Sequence, residues 1–279
     1  MKKGIQSDAL FFYIKKSYKR NQMKLTTWNI NGIRAREAAL LQRLAKTEPE
    51  ILCVQELKAD LTKIPDAFKS LADYDVFWNP STFKAGYSGV GLFVHRAISE
   101  QYGKPKITIP DFDAENRLIQ AEFEQVVILG IYAPRGEKPE QFAFKLNLFD
   151  TIRTYLQRLM NKGKEVIFTG DINIAHKEID LHPSQRNEKS TGFRPEERAK
   201  IDALLEIGMK DVFREAHPNE EGHYSWWNYF PRGAREKNIG WRIDCIYASP
   251  ALASKVTRAI IQKEEASSDH SPVSIEFRL

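Results

Sequence analysis

Glu165-Val-Ile-Phe-Thr-Gly-Asp-Ile-Asn-Ile-Ala-His176 is the stretch around which the chain is organised. It begins as an apolar run, Val166 to Phe168, whose length and β-branched character are typical of a buried strand. Asp171 and Asn173 follow at once, and because residues two apart on an extended chain point the same way, their side chains leave the strand end together. One interpretation is an Asx-type turn that closes the strand. The other is a functional site, and similar polar groups beside other apolar runs favour it.

Length and composition limit the class of protein. The chain has 279 residues, of which 42% are hydrophobic and 28% charged, as in a soluble globular protein with one large domain or two small ones. No apolar run reaches the roughly 18–20 residues that span a membrane, so we expect no membrane partner. Cys53 and Cys245 lie in apolar runs and are predicted to be buried and reduced. Two cysteines exclude a cysteine-based zinc site, and a cytoplasmic location fits best.

The basic charge of the chain is concentrated at its start. The formal net charge is +5, but six of the 42 basic residues and one of the 37 acidic residues precede Met23, so the remainder is neutral. Any surface that binds nucleic acid must therefore be a local patch. We interpret residues 1–22 as a flexible basic extension or as an upstream reading of the start codon at Met23, and residues 23–279 as a single domain.

Apolar runs and amphipathic patterns alternate along that domain. Strands are predicted at 24–28, 51–54, 74–78, 118–123, 126–132, 241–248 and 273–277, with a further strand after the glycine cluster 86–91. Helices are predicted over 147–160, from Pro195 onward, and on a face formed by Ala38, Leu41, Leu44 and Ala45. Consecutive strands without an intervening helix argue against a purely parallel sheet. The predicted fold is therefore α/β, with two mixed sheets packed face to face and flanked by helices.

Polar side chains lie at the ends of many of these strands. They are Asn29, Asn31, Glu56, Tyr132, Asp171, Asn173, Asp244, Asp269 and His270. Carboxylate and amide oxygens suit Mg²⁺ or Mn²⁺ and not zinc or copper. Asp244 and His270 are the residue types of a carboxylate-oriented imidazole. Together they favour metal-assisted cleavage of a phosphodiester.

Each of these residues also has a structural interpretation. The pair Asp269-His270 could form a turn or cap before the last strand, and Glu56 could be a solvated strand end. Asp244 could simply be paired with Arg242 or another base. All of these coincidences together are much less probable than any one of them, which favours a single site.

The motifs resemble the exonuclease III family of class II abasic-site endonucleases, within the deoxyribonuclease-I-like endonuclease/exonuclease/phosphatase superfamily. The matching stretches occur in the family's order from about residue 24 to 279. They are Trp28-Asn-Ile-Asn-Gly-Ile-Arg34, Cys53-Val-Gln-Glu-Leu-Lys58, Gly86-Tyr-Ser-Gly-Val-Gly91, Ile131-Tyr-Ala-Pro134, Gly170-Asp-Ile-Asn-Ile-Ala-His-Lys-Glu-Ile-Asp180, Gly192-Phe-Arg-Pro-Glu-Glu-Arg198, Tyr224-Ser-Trp-Trp227, Gly240-Trp-Arg-Ile-Asp244 and Ser268-Asp-His-Ser-Pro272.

This resemblance implies a four-layer α/β sandwich with the active site at one end of the two sheets. It also implies roles for the polar residues. Glu56 is the main metal ligand, with Asn29, Asn31 and Asp269 beside it. Asp171 positions or deprotonates the attacking water, Asn173 and Tyr132 hold the scissile phosphate, and His270, oriented by Asp244, contacts a non-bridging oxygen or is the base.

The resemblance further implies how DNA is bound. Trp226, Trp241 and Ile243 match residues that line a pocket for a flipped-out abasic sugar, although two tryptophans near the C-terminus could equally be core. The DNA-contacting set also includes Asn187, Tyr87, Gly89 and Arg135. Ser190 stands where some relatives have a second asparagine, and the segment Pro231-Arg232-Gly233 is one residue longer than in the eukaryotic-type enzymes.

The implied function is a monomeric, Mg²⁺-dependent DNA-repair nuclease, with Mn²⁺ as a substitute. Its expected substrates are duplex DNA with an abasic site or a 3′ end, giving endonuclease, 3′–5′ exonuclease and 3′-phosphatase or phosphodiesterase activities. One alternative is a phosphatase or phosphodiesterase of the superfamily that acts on a substrate other than nucleic acid. The other is a non-catalytic nucleic-acid binder.

Overall fold

Two six-stranded β-sheets form the centre of the molecule. The computed structural model describes residues 22–82, 84, 86–229 and 232–278. The first sheet contains β1 (Met23–Asn29), β2 (Ile51–Gln55), β3 (Tyr74–Asn79), β4 (Val90–His95), β11 (Val256–Ile261) and β12 (Val273–Phe277). The second contains β5 (Lys106–Thr108), β6 (Leu118–Glu122), β7 (Val126–Tyr132), β8 (Glu165–Asp171), β9 (Lys210–Asp211) and β10 (Asp244–Ala248).

The two sheets have the same pattern of strand directions. Their orders are β11-β12-β1-β2-β4-β3 and β9-β10-β8-β7-β6-β5. In each sheet the two central strands, β1 with β2 and β8 with β7, are parallel, and every other pairing is antiparallel. The carboxyl ends of a parallel pair meet at one edge of the sheet, so each sheet brings two chain exits together there.

Side chains that alternate between the two faces of each sheet form three separate apolar layers. Leu25, Ile51 and Ile128 point into the core between the sheets, whereas Leu52 and Val54 point outward to the helix α1 (Glu37–Thr47). On the far side, the second sheet packs against α3 (Pro139–Asn161) and α4 (Pro195–Glu206). This period-2 alternation buries both faces of each sheet. The predicted four-layer α/β sandwich is confirmed.

The remaining helices are short. They are α2 (Arg96–Tyr102), α5 (Val212–Ala216) and α6 (Pro250–Ala253), with 3₁₀ turns at Leu61–Lys63, Asp66–Phe68, Glu178–Asp180 and Pro183–Gln185. No helix within the described ranges is long and apolar enough to cross a bilayer. Cys53 and Cys245 are free and buried, as predicted.

Some predicted elements need correction. The helix α1 buries Leu40, Arg43 and Leu44, while Ala38 and Ala45 are exposed, so its predicted apolar face was rotated by about one residue. The strand predicted from Trp241 begins only at Asp244, because Trp241 instead bridges Leu181 and Trp226 outside the sheet. The predicted N-terminal extension lies outside the described residues, apart from Gln22, and remains a prediction.

Candidate active site

The predicted site residues leave the strands at one edge of both sheets. Asn29 ends β1 and Asp171 ends β8, while Tyr132 ends β7 opposite Asp171 in the register. Asp244 begins the antiparallel strand β10, and it also faces Asp171. The topology therefore brings together residues that are far apart in the sequence.

Asn29 joins the two central carboxylates of the site. Its Nδ2 donates to Oε1 of Glu56 at 2.9 Å and to Oδ2 of Asp171 at 2.8 Å. Its Oδ1 accepts from the backbone N–H of Asn31 at 3.0 Å, and the residue is fully buried. These contacts hold Glu56 and Asp171 in fixed relative positions, and the role of Asn29 as a metal ligand stays a prediction.

The other predicted metal ligands surround a positive charge. The Lys58 ammonium lies 2.6 Å from Oε2 of Glu56 and donates to Oδ1 of Asn31 at 2.5 Å. Nδ2 of Asn31 in turn donates to Oδ1 of Asp269 at 2.7 Å. These hard oxygens thus already hold a cation, which is the donor chemistry that a metal such as Mg²⁺ prefers.

The backbone turns sharply where these side chains enter the site. Asn31, Glu56 and Asn173 have φ values of 48°, 56° and 51°, in the left-handed region that non-glycine residues rarely adopt. Such strain is characteristic of functional segments. A backbone hydrogen bond of 3.1 Å from the N–H of Leu57 to the carbonyl oxygen of Gly89 fixes the turn after Glu56.

His270 is oriented by a buried carboxylate. Its Nδ1 lies 2.9 Å from Oδ2 of Asp244, and its Nε2 lies 3.8 Å from Oδ2 of Asp171. Asp244 Oδ1 is buried and has no hydrogen-bond partner among the described residues. Arg242 pairs with Asp180 and Asp211 instead, which rules out the simple Arg242–Asp244 ion pair considered above.

Burial and neighbouring charges shift the pKa values of these groups. Burial raises the pKa of Asp171 to about 7; the Asp244 carboxylate adds to this rise, and His270 opposes it. Burial lowers the pKa of His270, but the carboxylates of Asp244 and Asp171 outweigh it and raise that pKa to about 10. Burial also raises the pKa of Glu56, but Lys58 and Asn29 more than offset this and lower it overall. His270 is therefore a cation and Glu56 an anion at neutral pH.

Tyr132 lies behind the carboxylates. Burial raises its pKa well above the usual value, and the neighbouring Glu56 and Asp171 carboxylates add to the rise. The Arg117 guanidinium lies 5.2 Å from the centres of both the Tyr132 and Tyr87 rings. Arg117 Nη2 also donates to the Tyr87 hydroxyl at 2.7 Å. Arg117 thus connects Tyr87 to Tyr132.

A cleft of about 440 Å³ opens beside this cluster. Trp226, Trp241 and Ile243 line it, and the two indoles meet edge to face with ring centres 6.2 Å apart. Trp226 Nε1 donates to Oδ2 of Asp269 at 3.2 Å. Arg135 also lines the cleft, 5.9 Å above the Trp226 ring. The predicted sugar pocket and the carboxylate cluster therefore form one continuous surface.

Three of the residues predicted to bind DNA do not line the cleft. Asn187 is exposed and its Oδ1 accepts from the N–H of Lys189 in its own loop. Tyr87 and Gly89 are also absent from the residues that line the cleft. A Cβ at Gly89, where φ is +86°, would come within 3.2 Å of Leu57 Cβ, so this glycine permits the close packing behind Glu56.

Sequence reasoning assigned no role to several residues of the site. Lys58 belongs to the motif Cys53–Lys58. Its position two residues after Glu56, on a turn, could have indicated that it contacts this carboxylate. Lys145, fully buried, donates to the backbone oxygens of Asn173 and Arg135 at 2.8 and 3.1 Å. Nothing in the amphipathic pattern of α3 distinguishes this lysine from its exposed neighbours.

Comparison with known proteins places the chain in a family. The model of the "Endonuclease/Exonuclease/phosphatase family" matches residues 26–270. The chain belongs to this family. The predicted resemblance is thus confirmed, and the matched range includes every residue that lines the cleft.

Members of the family with similar sequences have related names. An exodeoxyribonuclease of Bacillus subtilis is 38% identical over 91% of this chain and 98% of its own length. DNA repair nuclease APEX1 of Danio rerio is 33% identical over 98% of this chain and 90% of its own length.

Solved structures in the family share the fold. An AP endonuclease from Archaeoglobus fulgidus superposes with a TM-score of 0.80 at 29% identity, covering 92% of this chain and all of the other. The 3′ phosphatase NExo from Neisseria, bound to a product DNA hairpin, gives a TM-score of 0.80 at 28% identity with the same coverage.

Proposed function

We propose that the chain is a Mg²⁺-dependent DNA-repair nuclease that hydrolyses the phosphodiester 5′ to an abasic site in duplex DNA. It would also trim 3′ ends as a 3′–5′ exonuclease and 3′-phosphatase or phosphodiesterase. The expectation of a hydrolytic DNA-repair nuclease is confirmed by the names of its relatives. The observation that carries the finer proposal is the placement of Glu56, Asp171 and His270 directly beside the Trp226–Trp241 wall.

The donor set of the cluster fits a hard divalent cation. Carboxylate oxygens of Glu56 and Asp171 lie within 4.8 Å of each other. Asp269 and Asn31 add two further oxygens beside Glu56, and Lys58 already occupies part of this oxygen environment as a cation. When bound, Mg²⁺ supplies polarisation of a phosphoryl oxygen and stabilisation of the leaving oxygen, and Mn²⁺ has the same preference for oxygen.

Asp171 is the candidate base for the attacking water. Both of its oxygens are fixed, since Oδ1 accepts from Asn173 N at 3.0 Å and Oδ2 accepts from Asn29 at 2.8 Å. The carboxylate is thus held in one orientation without rotation, which is what in-line activation of a water molecule requires.

His270 and Asn173 would hold the phosphate. Asp244 fixes one ring nitrogen of His270, so the other faces the site as a charged donor that can stabilise a non-bridging oxygen. Asn173 uses one N–H of Nδ2 on the carbonyl of Ala133 at 2.8 Å, which leaves the second N–H of this cleft-lining residue to donate to a phosphate oxygen.

The indole wall would select the abasic sugar. Trp226, Trp241 and Ile243 offer an apolar wall that accepts a deoxyribose but leaves a base without hydrogen-bond partners. The enzyme would act as a monomer on double-stranded DNA in the cytoplasm.

Two other functions are less well supported. A phosphatase for a non-nucleic-acid substrate would share the carboxylate cluster, but it has no need of the paired indoles beside it. A non-catalytic DNA binder would have no need for the strained, buried and hydrogen-bonded arrangement of Asn29, Glu56 and Asp171.

The decisive experiment compares two DNA duplexes. One carries a single abasic site, and the other is nicked but otherwise undamaged. Each is incubated with Mg²⁺ and with EDTA, and a phosphoinositide is tested as a substrate in a parallel reaction. We expect incision 5′ to the abasic site, abolition by EDTA, and a higher Mg²⁺ requirement for the Glu56→Ala variant. Full cleavage in EDTA would exclude the metal assignment. If the enzyme released phosphate from the phosphoinositide and left both DNA duplexes intact, the proposed DNA substrate would be wrong.

A further inference from the structure

We propose a second metal site, for Zn²⁺ or another late divalent transition metal, formed by His217, Glu220 and His223. These residues lie on the segment that connects α5 to the strand-like stretch at Ser225. None of them lines the catalytic cleft. The proposal rests on geometry and chemistry that are independent of the nuclease function.

The three side chains already have the spacing of metal ligands. Nδ1 of His217 and Nε2 of His223 lie 3.1 and 2.9 Å from the same Oε2 atom of Glu220. Zinc bonds of about 2.0–2.1 Å place neighbouring ligand atoms roughly 2.9 Å apart at right angles and about 3.4 Å apart in a tetrahedron. The observed distances fall within this range, so an ion could bind with little movement.

His217 is oriented for coordination from behind. Its Nε2 lies 3.0 Å from the carbonyl oxygen of Ala259 on β11, which accepts the ring N–H. The proton of that contact is therefore assigned to Nε2, and Nδ1 is the ring nitrogen that faces Glu220. Nδ1 is buried and makes no well-aligned hydrogen bond to any part of the chain that the structure describes. A backbone carbonyl behind a histidine is the usual arrangement that fixes a metal ligand.

Other elements hold the loop that carries the ligands. Arg214 Nη1 donates to the backbone oxygens of His217 and Glu220 at 3.1 and 2.9 Å. Asn238 Nδ2 donates to the oxygen of Gly222 at 2.9 Å. The Phe213 ring packs against His217 with centres 4.6 Å apart. The loop is thus already ordered, so binding an ion costs little conformational entropy.

Charge and access also suit a small cation. Metal binding requires the two imidazoles to be neutral, so we expect zinc affinity to fall as the pH is lowered. Glu220 is more than half exposed and leaves an open path for the ion. Arg214 and Lys263 add positive charge nearby, so we expect a weaker site than one with several carboxylates. Imidazole ligands favour zinc, copper or nickel over Mg²⁺, so we expect that Mg²⁺ does not displace zinc from this site.

The binding experiment uses zinc itself and a chromogenic chelator as competitor. Because Glu56, Asp171 and His270 could also bind zinc, it is done in a Glu56→Gln background with saturating Mg²⁺. We expect this protein to retain one zinc equivalent, and Glu220→Gln or His223→Gln to weaken its binding by at least about tenfold. Zinc should also raise the melting temperature of the parent and not that of the His223→Gln variant.

Glu221→Gln is the matched control, since it removes the same charge from the same loop at a residue that pairs with Arg186. It should retain zinc with unchanged affinity. Equal zinc affinity in all variants would overturn the proposal, and so would the absence of retained zinc in the Glu56→Gln parent. The latter result would leave the three residues as a hydrogen-bonded cluster only.

Discussion

The ammonium of Lys145 lies 2.5 Å from Oε1 of Glu197, and both side chains are fully buried. The pair connects α3 to α4 and reaches the cleft at two further points. Lys145 donates to the carbonyl of Asn173 at 2.8 Å, while Oε2 of Glu197 accepts from the N–H of Gly192 at 2.7 Å. One ion pair beneath the active site therefore fixes two segments of its wall.

Replacing Lys145 by Met should damage both stability and catalysis. Removing one partner of a buried pair leaves an uncompensated charge, and we expect the free energy of unfolding to fall by about 3–5 kcal/mol. Because the Asn173 backbone also loses its donor, kcat/KM on abasic DNA should fall in molecules that remain folded. Urea denaturation and steady-state cleavage measure the two effects.

Lys200→Met provides the control for this prediction. Lys200 and Asp150 also connect α4 to α3, at 2.7 Å, but they are partly exposed. Such a surface pair contributes at most about 1 kcal/mol. If the two variants behave alike, Lys145 is not a positioning residue.

Asp171→Asn keeps the shape of the side chain and removes its charge. If this carboxylate activates the attacking water, kcat should fall by at least about 10²-fold. Single-turnover cleavage at saturating enzyme and Mg²⁺ isolates the chemical step. A rate within a few-fold of wild type would transfer the role of base to His270.

Trp241→Ala should weaken discrimination between damaged and intact DNA. Loss of one wall of the sugar pocket should reduce selectivity by about 1–3 kcal/mol. The measurement is the ratio of kcat/KM on abasic duplex to that on undamaged duplex. Trp227→Ala is the control, since Trp227 is equally buried but does not line the cleft. An unchanged ratio in folded Trp241→Ala would make Trp241 a core residue only.

The buried Asp180 should contribute to stability against acid. Burial raises its pKa, but the guanidinium groups of Arg242 and Arg214 outweigh this and hold the pKa at about 2. The carboxyl is ionised more readily in the folded state, so its contribution is complete above about pH 4 and is lost as the pH falls toward 2. The stability difference between wild type and Asp180→Asn should shrink by on the order of 2 kcal/mol over this interval. A constant difference for Asp180→Asn would contradict the prediction.

Truncation to Met23 should change DNA affinity without changing chemistry. Residues 1–22 carry a net charge of +5, and each neutralised phosphate contributes roughly −0.9 to the slope of log K against log salt. The truncated protein should therefore have a shallower slope, by at most about 4–5. Identical slopes would mean that the segment is inert. A lower single-turnover rate would mean that it packs on the fold and that the boundary at Met23 is wrong.

Continuous apolar runs allowed the central strands to be predicted from sequence. The strands β7 and β12 agree with the prediction to the residue, because a polar residue on one side and a proline on the other limit each apolar run: Gln125 and Pro134, and Arg278 and Pro272. The edge strands β5 and β9 were missed, since they have three and two residues and little apolar character. The strand β11 was missed as well, because its exposed Thr257 and Arg258 interrupt the pattern.

The active-site residues at strand ends were also predictable, because polar groups there stand out against apolar runs. Their exact contacts were not. Lys145 and Glu197 lie 52 positions apart on two amphipathic helices, and no local pattern distinguishes a buried charged pair from an exposed one. The sequence also gave no sign that Asn29 would use all of its side chain on its neighbours.

The active site is assembled from the two ends of the domain. Trp28 Nε1 donates to the backbone oxygen of His270 at 3.1 Å, and Ser268 Oγ donates to that of Asn29 at 2.8 Å. The strand β12, which follows His270, lies between β11 and β1 in the sheet. A nascent chain whose residues from Ser268 onward are still inside the ribosome therefore lacks both His270 in its place and the support that holds Asn29. We therefore expect nuclease activity to appear only after β12 has left the ribosome and inserted beside β1.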